Sequence, residues 1–142
     1  MLLVVQPSTP VLFVFLSFLI VHRGIELVNQ AHDYLEDKET GLLTPSVQWG
    51  ITNTLITAFL LTIVGLGLGF VGFYFLFYNL PNVVILGYSV SYEILFIITV
   101  GNLILAYLTP LKGTWKFISI SLQNKTVKQK ISLMKKQLNY PK

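Results

Sequence analysis

The sequence predicts an all-α integral membrane protein: three transmembrane helices plus a C-terminal basic amphipathic helix. Three observations predict it. Of 142 residues, 54% are hydrophobic and only 11% are charged, where soluble domains run about 25% charged. From Thr40 to Leu111 the single formally charged side chain is Glu93, and the apolar stretches flanking it exceed the 18 or so residues that mark a bilayer span. Eight of the ten Lys and Arg follow residue 111, the placement of a membrane-proximal basic tail rather than of a nucleic-acid contact.

The first span covers about residues 10–28. Ser8 or Thr9 is a candidate N-cap, and Pro10 suits the first helical position, where its missing N–H costs nothing. Val11 to Val21 is wholly apolar. Beyond it Ile25, Val28, His32 and Leu35 share one face while Arg23, Glu26, Asp33 and Glu36 lie elsewhere, so the second half reads as amphipathic and leaving the bilayer. The N-terminus has neither the positive n-region nor the small-residue cleavage site of a secretory signal and reads as a retained anchor.

The linker "DKETGLLTPS" carries the turn residues Gly41 and Pro45. The second span, about 48–78, is roughly 45 Å long at 1.5 Å per residue and must tilt, kink or project from a hydrocarbon core of about 30 Å. After the turn "NLPN" the third span runs over about 83–109 and stops at Pro110. Residues 1–112 thus make a membrane domain and 113–142 a basic tail. In the tail Ile120, Val127, Ile131, Met134 and Leu138 share a face, with Lys125, Lys128, Lys135 and Lys136 largely opposite, the pattern of a helix on an anionic membrane surface or a partner helix.

Lys and Arg counts in the flanking segments set the orientation. Arg23 and Lys38 lie in the first loop and eight cations in the tail, while the segment before the first span and the turn near Pro81 have none. The N-terminus is therefore expected outside and the C-terminus inside. Trp49 and Trp115 then fall at the inner interface, and Tyr74, Tyr78 and Tyr88 at the outer one.

Glycine costs about 1 kcal/mol against alanine within a helix, yet "GLGLGFVGFYFLFYNLP", residues 65–81, holds four. At 100° per residue Thr54, Ala58, Thr62, Gly65, Gly69 and Gly72 fall within about 80° of one another, a small-residue groove for another helix, while Gly67 points elsewhere. The nearest candidate to fill it is the third span, whose small or polar face holds Gly87, Ser91, Gly101 and Asn102. Glu93 lies about 135° from the centre of that face, so it is expected to point away from the second span and to meet another subunit or the headgroups. An ionisable group in a span is costly and points to a polar contact or an ion path.

No catalytic, cofactor or metal site is expected. The chain has no cysteine, which excludes disulfides, thiolate metal sites and thiol catalysis, and no HExxH, P-loop, GxSxG or Rossmann fingerprint occurs. His22 with Glu26, and His32 with Asp33 and Glu36, have metal-compatible spacing, but the same residues fit a solvated helix in which Arg23 pairs with Glu26. The "NKT" at Asn124 is a glycosylation sequon on the predicted inner side. The expected function is a small non-catalytic accessory subunit of a larger membrane complex of respiratory or membrane-oxidase type. Its expected partners are other membrane subunits and anionic lipid at the inner surface, with no nucleic acid. The alternatives are a self-assembling membrane, viral structural or pore-forming protein, and a proton- or ion-path subunit using Glu93.

Overall fold

A computed structural model describes residues 9–78, 83–85 and 88–138. Thr9–His32 form α1, Tyr34–Glu39 α2, Pro45–Trp49 α3 and Ile51–Tyr78 α4; Val83–Ile85 and Tyr88–Val90 are strands β1 and β2, and Tyr92–Ser121 and Val127–Leu138 form α5 and α6. Three helices, Thr9–His32, Ile51–Tyr78 and the Glu93–Ser121 stretch of α5, are long and apolar enough to cross a membrane. Each runs antiparallel to the next: Phe13 of α1 lies beside Gly72 of α4 and Gly24 beside Ala58, while Phe96 of α5 meets Phe70 and Trp115 meets Phe59.

The second span differs from the expected 48–78 at its start. Gly50 has φ 84°, a left-handed conformation that glycine adopts without strain, and it separates α3 from α4. Thr44, extended at the N-cap of α3, donates its hydroxyl to Asp37 Oδ2 at 2.8 Å and lies 3.0 Å from Ser46 Oγ. These bonds tie α2 to the start of α3.

The third span differs at both ends from the expected 83–109. Its first residues form an antiparallel hairpin, with Val83 opposite Val90, Val84 opposite Ser89 and Ile85 opposite Tyr88. The sequences VVI and YSV are β-branched and aromatic, and only two residues, one of them a glycine, separate them, which suits a hairpin better than a helix start. At the other end α5 passes through Pro110 to Ser121. Proline lacks the N–H that would bond the Ala106 carbonyl one turn back, a loss that transmembrane helices tolerate; one turn on, Thr114 Oγ1 donates to the Pro110 carbonyl at 2.9 Å. The helix continues because Phe117, Ile118 and Ile120 beyond the proline have a core to enter. The boundary expected at 112/113 therefore falls inside a single helix.

That core lies where the C-terminal end of α1, the N-terminal end of α4, the end of α5 and α6 converge. Ala31, Ile51, Leu55, Phe117, Ile118, Ile120, Ile131 and Met134 are buried in it, with Val28, Tyr34, Leu35, Phe59 and Leu133 against its sides. The first loop and the tail are thus brought to the same end of the helices. α5 is about 45 Å long, longer than the roughly 30 Å of a hydrocarbon core, and its last turns build this end. In the most apolar stretch of each helix, 33% of residues are buried in α4 but 6% in α5; α5 leans on the α1–α4 pair along one side only.

Candidate functional site

The small residues of α4 meet α1, not the third span. Thr54, Ala58, Thr62, Gly65, Gly69 and Gly72 are all buried, and facing them on α1 are Val14, Ser17, Val21 and Gly24. The α1 row, and the α4 row from Ala58 on, step by three and four residues in alternation, the spacing that keeps two helices in register as they supercoil left-handedly. A Cβ on Gly65 would lie 2.5 Å from Val21 Cγ2 and 3.1 Å from the Ser17 carbonyl, and one on Gly72 2.9 Å from the Val14 nitrogen. Gly24 is as tight from the other side, its Cβ position 2.9 Å from both the Ala58 carbonyl and Thr62 Oγ1. Ser17 Oγ crosses the interface to donate to the Gly65 carbonyl at 2.7 Å. Sequence reasoning missed the α1 half of this contact; the run Ser17, Val21, Gly24, Val28, Ala31 at three- and four-residue steps was the available signal.

The expected packing face of α5 is turned away from α4. A Cβ on Gly101 would meet nothing within 4 Å, and Asn102, exposed, donates its Nδ2 to the Ile98 carbonyl of its own helix at 2.8 Å. Ser91 is the N-cap residue of α5, and Gly87 lies outside the described residues. α5 packs instead through Phe96, Val100, Leu103, Thr114 and Ile118, a face about 180° from Gly101 and Asn102 taken together. The reason is steric: α1 already fills the small groove, and what α4 presents on its other side is bulky and aromatic. Phe96 sits edge-on to Phe70, Tyr74 and Phe77 at centroid distances of 5.5, 5.8 and 6.4 Å, and Phe59 meets Trp115 at 5.6 Å.

This reversal corrects the expectation for Glu93. Four residues along α5 from Ile97 and three from Phe96, Glu93 is on the α4 side and not away from it. It stands exposed in the first turn of α5, lining a half-open pocket of about 280 Å³ together with Tyr74, Phe77 and Tyr78 of α4 and Phe96 and Ile97 of α5. No described Lys or Arg pairs with it: among the described residues the ion pair is Arg23 with Glu26.

α6 also differs from its expected role. Of its apolar face Ile131 and Met134 enter the shared core, Val127 stays exposed, and the Leu138 side chain lies outside the described residues. The connection 122–126 folds α6 back; Lys130 Nζ donates to the Ser121 carbonyl at 2.6 Å, and Thr126 and Gln129 cap the helix reciprocally, backbone N–H to side chain, at 3.1 and 3.4 Å, a capping box. Lys125, Lys128, Lys135 and Lys136 remain exposed. Nearby, an open groove of about 480 Å³ runs past Ile25 and Val28 of α1, Lys112, Lys116 and Phe117 of α5 and Gln137 of α6.

Two of the residues weighed as metal ligands make other contacts. Glu26 pairs with Arg23, and His32 is buried edge-on against Phe117 at 4.7 Å. Among the described residues no three His, Cys, Asp or Glu side chains gather as a metal set. No family model matches the chain, and no curated protein or solved structure matches it.

Proposed function

We propose that this protein is a non-catalytic membrane subunit that docks through α5 against other subunits of a larger complex. One observation carries the reading: the apolar first half of α5 is almost bare. Ile97 and Leu105 are 68% and 67% exposed, with Ile94, Ile98 and Ile104 above half, and open Gly101 and Asn102 lie on the same side. A helix held along one edge, with a small-residue position on its free flank, is suited to a second helix. The α1–α4 pair supplies the rigid support. Exposed Lys125, Lys128, Lys135 and Lys136, with Lys112 and Lys116 beside their apolar groove, support contact with anionic lipid at the same end.

Leucine at Gly101 tests this cleanly, since a Cβ there has open space around it. Purified in mild detergent, Gly101→Leu is expected to fold and to lose its partner subunits, whereas leucine at Gly67, which is equally open on α4, keeps them. A wild-type protein that elutes as a monomer with nothing bound counts against the proposal. Large homo-oligomers without other subunits favour self-assembly instead.

The orientation belongs to the same proposal, with the loop and tail cations on the inside. The chain has no cysteine of its own, so single cysteines report directly. Ser91→Cys is expected to react with an impermeant maleimide in intact cells, and Glu39→Cys and Lys136→Cys only after permeabilisation. The reverse pattern inverts the topology, and labelling of all three without permeabilisation removes the membrane from the reading.

A further inference from the structure

We propose that the pocket around Glu93 binds a quaternary or methylated ammonium group. The walls are aromatic: Tyr74 and Tyr78 stack at 5.9 Å and 21°, Tyr74 meets Phe96 at 5.8 Å and 77°, and Phe77 meets Phe96 at 6.4 Å and 68°. These rings lie in different planes around the pocket that they line with Glu93, so a group held there meets aromatic surface on more than one side. Glu93 adds a carboxylate, and the described lining residues include no Lys or Arg.

The chemistry selects among cations. A small metal ion needs several oxygen ligands to replace its hydration shell, and the described lining residues offer one carboxylate and two phenols. A methylated ammonium has low charge density and a greasy surface, and aromatic faces with a single carboxylate suit it. The pocket lies at the start of α5 and the end of α4, where these apolar helices meet the membrane–water boundary. A choline headgroup or a free organic cation can reach it there.

The test uses the full-length protein in dodecyl maltoside, which carries no ammonium group, with tetramethylammonium as the probe and saturation-transfer NMR as the readout. Wild type is expected to give a saturable signal that choline displaces and equal concentrations of sodium or lithium do not. Glu93→Gln is expected to weaken binding about tenfold or more, Tyr74→Leu to weaken it severalfold, and Tyr74→Phe, which keeps the ring, to retain it. Circular dichroism of Glu93→Gln should match wild type because the side chain is exposed. A wild type without saturable binding, or a Glu93→Gln variant that binds as well as wild type, overturns the proposal. Nanodiscs distinguish the source: loss of the signal in phosphatidylcholine but not in phosphatidylglycerol upholds the site as a lipid headgroup site, and an equal signal in both upholds it as a site for a free cation.

Discussion

Leucine at Gly65 or Gly72 is expected to force α1 and α4 apart at a cost of about 3 kcal/mol, while leucine at Gly67 leaves the pair intact. The ranking follows from what each new side chain would strike. At Gly72 the obstacle is the Val14 backbone nitrogen at 2.9 Å, and at Gly65 it is a β-branched Val21 methyl at 2.5 Å backed by the Ser17 carbonyl; neither can swing aside. At Gly69 it is the Ser17 hydroxyl at 2.7 Å, which can rotate if it gives up its bond to the Gly65 carbonyl, so the penalty there is smaller. Valine at Gly24 should be as damaging as leucine at Gly72, because the Ala58 carbonyl blocks it at 2.9 Å. Unfolding in mixed dodecyl maltoside and SDS micelles measures the series. Equal midpoints for the variants at positions 65, 67 and 72 would show that α1 does not occupy the groove.

The second large effect is expected at Met134. Its side chain is fully buried among residues of α1, α4 and α5, and truncation to alanine removes contacts worth about 2–5 kcal/mol in a core that closes imperfectly. Little else described holds α6: Ile131 beside Met134, half-buried Leu133 at the edge of the core, and the bond from Lys130 to the Ser121 carbonyl at 2.6 Å. Met134→Ala should therefore release α6 while leaving the α1–α4 pair assembled. Hydrogen exchange over residues 127–137 is the measurement, with protection lost in the variant and retained over residues 54–72. Replacing Lys125, Lys128, Lys135 and Lys136 together by glutamine should leave α6 protected, since those side chains face solvent. If the glutamine variant loses protection as Met134→Ala does, charge on a surface rather than burial holds the helix.

These two effects differ in how far the residues alone foretold them. The stripe from Thr54 to Gly72 is a matter of phase within one helix, and phase is local. Which helix fills the stripe is not local. In a span that is apolar on every side, hydropathy has no direction, so partner choice falls to shape, and shape is a property of two surfaces together. The aromatic rows Phe70, Tyr74, Phe77 and Phe96 were visible as composition but not as a contact, and the position of Glu93 among them followed only from that contact.

The sequence by itself determined the apolar spans, the groove-forming positions of α4, the amphipathic register of α6 and the segregation of positive charge to the loop and tail. The first three rest on composition or periodicity within a single helix and the fourth on counting cations along the chain. Tertiary structure alone decided that α1 and not α5 enters the groove, that α5 runs through Pro110, and that Met134 is core. Proline breaks a helix where the residues beyond it gain nothing by staying helical; here Phe117, Ile118 and Ile120 gain a core assembled from α1, α4 and α6, and that burial, which no local pattern encodes, outweighs one missing hydrogen bond.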